Sequence, residues 1–202
     1  MSTPGFAPIS LSKSDELLRT WGYDLVEEYF SVAREASVDP GSSVLEVATG
    51  TGRMTAVLTR LGCNVTTGDV TQEKAEQLWR RVTPAYAPQV KIMLLDLEKL
   101  PFKTGSVRTI ICMNTLHELA DPHRCLGELL RIHDRSGTVV VGDFNDTGFA
   151  AMQNVHQSIY KNDHQRGLMS IIAVEPILRE HYSDVRVALT PLNITFIAGG
   201  KK

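Results

Sequence analysis

From residue 43 onward, short apolar runs alternate with longer segments whose apolar residues recur every three or four positions. "SVLEVAT" (43–49), "NVTTGDV" (64–70), "VKIMLLDL" (90–97), "SVRTIICMN" (106–114) and "GTVVVGDF" (137–144) read as strands. Between them "GRMTAVLTRLG" (52–62), "TQEKAEQLWRRV" (71–82) and "DPHRCLGELLRIHD" (121–134) read as helices. Two more helical segments are expected at 146–160 and in "SIIAVEPILREHY" (170–182), with Pro176 in a first turn or at a kink. The chain closes with strands "SDVRVAL" (183–189) and "LNITFIAGG" (192–200), joined only by Thr190 and Pro191. A parallel crossover needs about a dozen residues or more, so these last strands are expected to form an antiparallel hairpin. Ahead of the alternating region, residues 12–36 read as helical with a break near Gly22. Leu17, Leu18, Trp21, Leu25, Val26, Tyr29, Phe30 and Ala33 fall at helical spacing there. The first dozen residues, with Pro4, Gly5 and Pro8, are expected to wrap the surface or fray.

Strands alternating with helices predict an α/β domain whose mostly parallel sheet is covered on both faces. The runs "IICM" and "TVVVG" suit strands buried on both sides. In such a sheet the ligand sits at the carboxyl ends of the strands, near the point where strand order reverses. The first strand-to-helix turn, "VLEVATGTGRM" (44–54), therefore carries the candidate chemistry. Gly50 permits unusual backbone angles, Gly52 leaves room for a ligand, and the helix from Arg53 offers free N–H groups. A phosphate site would favour a third glycine where Thr55 stands, and no G-K-[ST] follows. Glu46, inside the apolar run, repels a pyrophosphate and suits a cation, such as a sulfonium bearing an α-amino group.

The next strands extend this site. Asp69 is placed to accept hydrogen bonds from both hydroxyls of a ribose, and Val70 to pack on a purine face. Asp96 is placed to accept from an adenine amino group, with Leu97 as an apolar neighbour. Each acid also has a purely structural reading: Glu46 capping backbone N–H groups, Asp69 capping the helix near Thr71, Asp96 making an ordinary turn.

These motifs, in this order, resemble the class I S-adenosylmethionine-dependent methyltransferases, particularly their small-molecule, ubiquinone-biosynthesis-like (type 11) group. "LEVATGTG" is similar to that family's E/D-x-x-x-G-x-G motif and "GDVTQEKAEQ" to its second acidic motif. "DLEKLPFKTGSVRTIICMNTLHEL" and "LLRIHDRSGTVVVGDF" resemble the segments through its fourth and fifth strands. The resemblance is strong across 43–144 and rests on pattern alone elsewhere. Val107 and Arg108 depart from the family's S-F-D, and Ala48 stands where many members have Gly or Cys. The resemblance implies a Rossmann-like fold with a mostly parallel seven-stranded sheet, an antiparallel C-terminal hairpin and helices on both faces. It implies S-adenosylmethionine as cofactor, held by Glu46, Ala48, Gly50, Gly52, Asp69, Val70, Asp96, Leu97 and Asn114.

Within one domain over 1–202, it divides the chain into a helical lid (1–38), a cofactor core (43–144), a substrate-side segment (145–182) and closing strands (183–200). In "NTLHEL" (114–119), Asn114 would meet the methionine end of the cofactor. His117 is a candidate general base or substrate hydrogen-bond partner, or else a helix-start histidine with no chemical role. Tyr23 and Tyr29, with Trp21, are candidates for an aromatic lid from the N-terminal helices; the alternative is helix packing, which is preferred for Tyr29. His156 and His164 are expected to face a substrate pocket roofed by the N-terminal helices and 146–169. Eight residues apart and without a third ligand nearby, they are not read as a metal pair.

Composition changes this picture little. Of 202 residues, 43% are hydrophobic and 22% charged, as in an ordinary globular domain. A net charge of -2 gives no basic footprint for a nucleic acid. Cys63, Cys112 and Cys125 form no CxxC pair and read as buried free thiols in a reducing cytoplasm. "MSTPGFAPIS" lacks the pattern of a signal peptide, and no apolar run approaches the ~20 residues that span a bilayer. A cytoplasmic enzyme with a small-molecule acceptor and no membrane or nucleic-acid partner is expected; homodimerisation is left open. Two other readings stand beside it. A nicotinamide-dependent oxidoreductase is opposed by the missing third glycine and by Glu46. A non-catalytic cofactor-binding protein would carry the same cofactor motifs.

Overall fold

In the computed structural model, which describes residues 7–202, two helices precede the first strand. The expectation for Pro4 and Gly5 lies outside the described residues. Ser12 opens α1 (Lys13–Thr20): its hydroxyl accepts from Asp15 N while the Asp15 carboxylate accepts from Ser12 N at 2.7 Å. Asp24 opens α2 (Leu25–Glu35) by accepting from Val26 N and Glu27 N. The chain ahead of α1 is tied down. Arg60 donates to Ala7 O and Pro8 O, and Arg81 donates to Ser10 O.

The alternating region follows as β1 (Ser43–Val47), α3 (Arg53–Arg60), β2 (Asn64–Asp69), α4 (Gln72–Glu76), β3 (Val90–Leu94), β4 (Val107–Met113), α5 (Pro122–Ile132) and β5 (His133–Phe144). Then come α6 (Asp146–Val155), α7 (Val174–His181), β6 (Tyr182–Leu189) and β7 (Asn193–Lys201). The sheet order is β3-β2-β1-β4-β5-β7-β6. The first five strands run parallel, whereas β7 pairs antiparallel with both β5 and β6. This is the expected seven-stranded arrangement with its terminal hairpin. Strand order reverses between β1 and β4, which puts the switch point at their carboxyl ends.

Alternation along each strand feeds two cores. Leu45, Ile110, Cys112, Val139 and Val141 pack beneath α5 and α7, while Val44, Ile111, Val140 and Ile197 pack beneath α2, α3 and α6. The three cysteines are buried free thiols. A buried carboxylate joins the two ends of the chain. Glu28 of α2 accepts from Asn193 Nδ2 at 2.7 Å, from Leu192 N at 3.2 Å and from the Thr190 hydroxyl.

Several boundaries differ from the expectations. The helix expected over 71–82 stops at Glu76 and tightens into a 3₁₀ turn over Gln77–Arg80. There Leu78 packs on Gly52, and Arg81 is held by Thr51 O and Asp15. The third strand ends at Leu94, so Asp96 lies in the following turn. The fifth strand starts at His133, which pairs with Val107 and meets the Tyr182 hydroxyl at 2.8 Å, and the preceding helix is shorter for it. The helix expected over 146–160 ends at Val155 and finishes in a π turn, His156–Tyr160. A 3₁₀ turn, Ile171–Ala173, precedes α7, and Pro176 falls in that helix's first turn.

Candidate cofactor and acceptor site

The β1–α3 turn is bent by three residues in the left-handed region: Ala48 (φ 57), Gly50 (φ 50) and Gly52 (φ 74). Ala48 takes there a conformation that glycine adopts at lower cost. Gly52 is buried, and its bare Cα serves packing: an added Cβ would lie 2.4 Å from Leu78 Cβ. It lines neither cavity described below, whereas Gly50 lines both. Thr55, in place of a third glycine, donates its hydroxyl to Glu46. Thr67, directly across from Glu46 on β2, donates to the same oxygen at 2.9 Å. Burial pushes Glu46 up to about 7 against the pull of these hydroxyls.

Two adjoining cavities open at the carboxyl ends of the strands, and they share Ala48, Gly50 and Asn114. The first, about 450 Å³, is walled by Asp69, Val70, Asp96 and Leu97. Val70 is 57% exposed and is an apolar part of the cavity lining. Asp69 accepts from Gly50 N at 3.2 Å and Val70 N at 2.8 Å, which fixes its carboxylate beside the turn. It does not cap α4: Thr71 does, accepting from Lys74 N. The two roles therefore separate by mutation. Asp69→Ala is expected to weaken cofactor binding by about 1.5–3 kcal/mol, while Thr71→Ala costs about 1 kcal/mol of stability and leaves affinity alone. Calorimetric titration and urea unfolding of both variants check this; unchanged affinity in Asp69→Ala rejects its ligand role.

The second cavity, about 650 Å³, is walled by Glu46, Tyr29, Arg53, Asn114, His117, Phe144, His156 and His164. Asn114 has a φ of 51°, donates through Nδ2 to the Tyr29 hydroxyl at 3.1 Å, and keeps Oδ1 buried with no partner among the described residues. Arg53 lies over the Tyr29 ring and pairs with Asp15 at 2.7 Å; Arg81 pairs with the same carboxylate at 2.6 Å. Burial would raise Asp15, but the two guanidiniums outweigh it and hold it well below the usual carboxylate range.

His117 is buried, and its Nδ1–H donates to Asp143 Oδ1 at 2.7 Å. The other Asp143 oxygen accepts from His117 N at 3.0 Å. His156 and His164 stand side by side on the same wall, ring centroids 4.6 Å apart. Burial first, then the neighbouring His117 and His156, lower His164 to about 4. Tyr23 lines neither cavity and packs at the edge of the α2–α3 core; Tyr29 packs there too and also reaches the cavity. Among the described residues no group of three or more His, Cys, Asp or Glu is set to hold a metal ion. A third cavity, about 630 Å³, opens at the opposite end of the sheet, by Ser43, Val107 and Gly137.

Asp143 and Asp15 were not expected at the site, and Tyr29, for which helix packing was preferred over a lid role, lines the cavity as well as packing. Asp143 had a signal: it follows the apolar "TVVVG", as Glu46 interrupts "VLEV". Asp15 had none, because its partners Arg53 and Arg81 lie far along the chain.

A family profile described as "Methyltransferase domain" matches residues 45–141. The demethylmenaquinone methyltransferase of Clavibacter sepedonicus is 29% identical over 121 residues, covering 59% of this chain and 49% of that protein. The chain spans about half the length of the curated relatives it matches. A SAM-dependent methyltransferase from Aquifex aeolicus superposes with a TM-score of 0.60 at 20% identity, covering 93% of this chain and 98% of that one. Magnesium protoporphyrin IX methyltransferase from Synechocystis, solved with bound SAH, superposes with a TM-score of 0.65 at 16% identity, covering 95% and 89%. Residues 45–141 thus match a methyltransferase domain, and the sheet order and acid-lined switch point are those of the solved S-adenosylmethionine-dependent methyltransferases, whose fold the chain shares.

Proposed function

We propose that this protein binds S-adenosylmethionine across the two cavities and directs methyl transfer to a small-molecule acceptor. The observation that carries the proposal is the set of carboxylates lining the two adjoining cavities, Glu46 in the larger and Asp69 and Asp96 in the smaller, with Asn114, whose Oδ1 has no partner among the described residues, lining both. A nucleoside needs acceptors for its hydroxyls and amino group, and Asp69 and Asp96 supply them. A cationic amino-acid tail needs negative charge and carbonyl oxygens, and Glu46 and Asn114 supply those. When bound, the sulfonium supplies an electrophilic methyl group. The chain's own task is to fix the acceptor in line with it and keep water out, through His117, Phe144, His156 and His164.

The same reading gives the protein a cytoplasmic setting. No helix among the described residues is long and apolar enough to cross a membrane. The named relatives act on demethylmenaquinone and magnesium protoporphyrin IX, which supports an organic small molecule as acceptor here. Adenosylhomocysteine is expected to stabilise the protein by about 2.7 kcal/mol at a hundredfold excess over Kd, and NADH not at all. Thermal unfolding with each ligand checks this; a shift with NADH alone would return the site to nicotinamide chemistry.

A further inference from the structure

Two ring nitrogens at the acceptor wall, His117 Nε2 and His164 Nδ1, are buried with no hydrogen-bond partner among the described residues. Orphaned polar atoms of this kind are costly and point to a missing partner. Their rings lie 4.9 Å apart, centroid to centroid, and both residues line the larger switch-point cavity. The two nitrogens differ in character. A carboxylate only accepts, so the 2.7 Å contact with Asp143 puts a proton on His117 Nδ1; in the neutral ring the lone pair is then on Nε2, which the largely exposed Glu118 carboxylate approaches only to 3.8 Å, beyond hydrogen-bond reach. Asp143 is itself pinned by His117 N and Phe144 N, so the ring cannot readily turn over. His164, lowered to about 4 by burial and its histidine neighbours, is a neutral imidazole near pH 7 and carries one N–H.

The segment carrying His164 is seated on His117. Gly167, at φ 68°, presses its bare Cα on the His117 backbone so closely that a Cβ would lie 2.2 Å from His117 O. Phe144 and Phe149 flank His117, each 5.5 Å from it between ring centroids.

We propose that His117, oriented by Asp143, accepts the proton of an ionisable hydroxyl on the methyl acceptor, and that His164 Nδ1–H donates to the same oxygen. This deepens the methyl-transfer reading above and rests on it. In the step, the acceptor O–H bond breaks, the proton bonds to His117 Nε2, and the electron pair stays on oxygen. A hydroxyl satisfies both nitrogens at once, since it has a proton for the lone pair and a lone pair for the N–H. A protonated amine has no lone pair for His164, and a carbon acid has none either. The hydroxyls acidic enough to ionise against an imidazole are phenols and enols, and the Phe144 wall suits a planar ring. Asp143 is a positioning residue; His117 is the group that touches substrate.

The test uses the full chain, ¹⁵N-histidine labelling and adenosylhomocysteine, with 4-nitrophenol as probe. In the parent protein near pH 7 the His117 signals are expected to report the Nδ1–H tautomer, and Asp143→Asn to give a mixture. At about pH 6, where free 4-nitrophenol is mostly protonated, the bound probe is expected to show the absorption of the phenolate. 4-Nitroanisole, which has no proton to give, should bind at least about tenfold more weakly. His117→Gln should abolish the phenolate band while adenosylhomocysteine still raises its melting temperature, which shows that it is folded. An Nε2–H tautomer in the parent, equal binding of phenol and anisole, or no phenolate band at millimolar probe overturns the proposal. If the parent passes these tests yet does not bind adenosylhomocysteine, the methyl-transfer reading fails and the proton acceptor stands. The opposite pattern rejects only the proton acceptor.

Discussion

Asp15→Asn is expected to cost about 3–5 kcal/mol of folding stability, the usual penalty for removing one partner of a buried ion pair. Asp15 lies between two guanidiniums, Arg53 and Arg81, and both Asp15 and Arg81 are buried. Removing the carboxylate leaves two positive charges facing each other with little water. The sign of the pH dependence follows from the lowered carboxyl of Asp15. Its contribution is fully present above the unfolded-state value of about 4. It shrinks as the pH falls below that value and vanishes as the pH passes the folded-state one. Urea unfolding at neutral and acidic pH should therefore show parent and variant far apart at pH 7 and converging in acid. A loss below about 1 kcal/mol at pH 7 would show the triad to be no more than a solvated surface cluster.

Glu46→Gln should act in opposite directions on the empty and the loaded protein. Glu46 is buried and pushed up to about 7 from an ordinary value of 4.5. A carboxyl raised on folding gives its full stabilisation below the unfolded-state value and loses it as pH rises through the folded-state one. Without ligand, the variant is expected to match the parent near pH 4 and to exceed it by up to about 3 kcal/mol at pH 8. A cation in the cavity reverses the preference, because it favours the ionised acid. Adenosylmethionine should bind the parent more tightly as pH rises through about 7, with release of a proton. The variant should bind about 1.5–3 kcal/mol more weakly at pH 8 and show no such pH slope. Calorimetry in buffers of different ionisation heat measures both quantities. Equal affinity at pH 8 would leave Glu46 as a structural acid held by Thr55 and Thr67.

Legibility in the sequence followed the range of the interactions. The β1–α3 turn and the acids that end or follow the next strands lie in local patterns, because a strand's period and a turn's glycines are local matters. The hairpin was legible from the two-residue link alone. The role of Gly52 was not: what requires it is Leu78, brought over by tertiary packing. The same packing overrides the helical propensity of residues 77–82. His117 was visible as a lone histidine, but the partner that gives it chemistry is Asp143, 26 residues away on another strand. Tyr29 meets Asn114 across 85 residues. Its helical spacing reports only that it is buried, not that its hydroxyl reaches a cavity.

The Glu28 clasp bears on how the chain comes off the ribosome. Its partners, Thr190, Leu192 and Asn193, lie 162 to 165 residues downstream. Until that final hairpin has emerged, α2 would have to bury an acid with nothing to receive it. The amino-terminal helices are therefore expected to be made first and docked last, as non-local closures generally are slow. A nascent chain stopped before Thr190 should hold α1 and α2 undocked, leaving the α3 face of the sheet uncovered and available to chaperones.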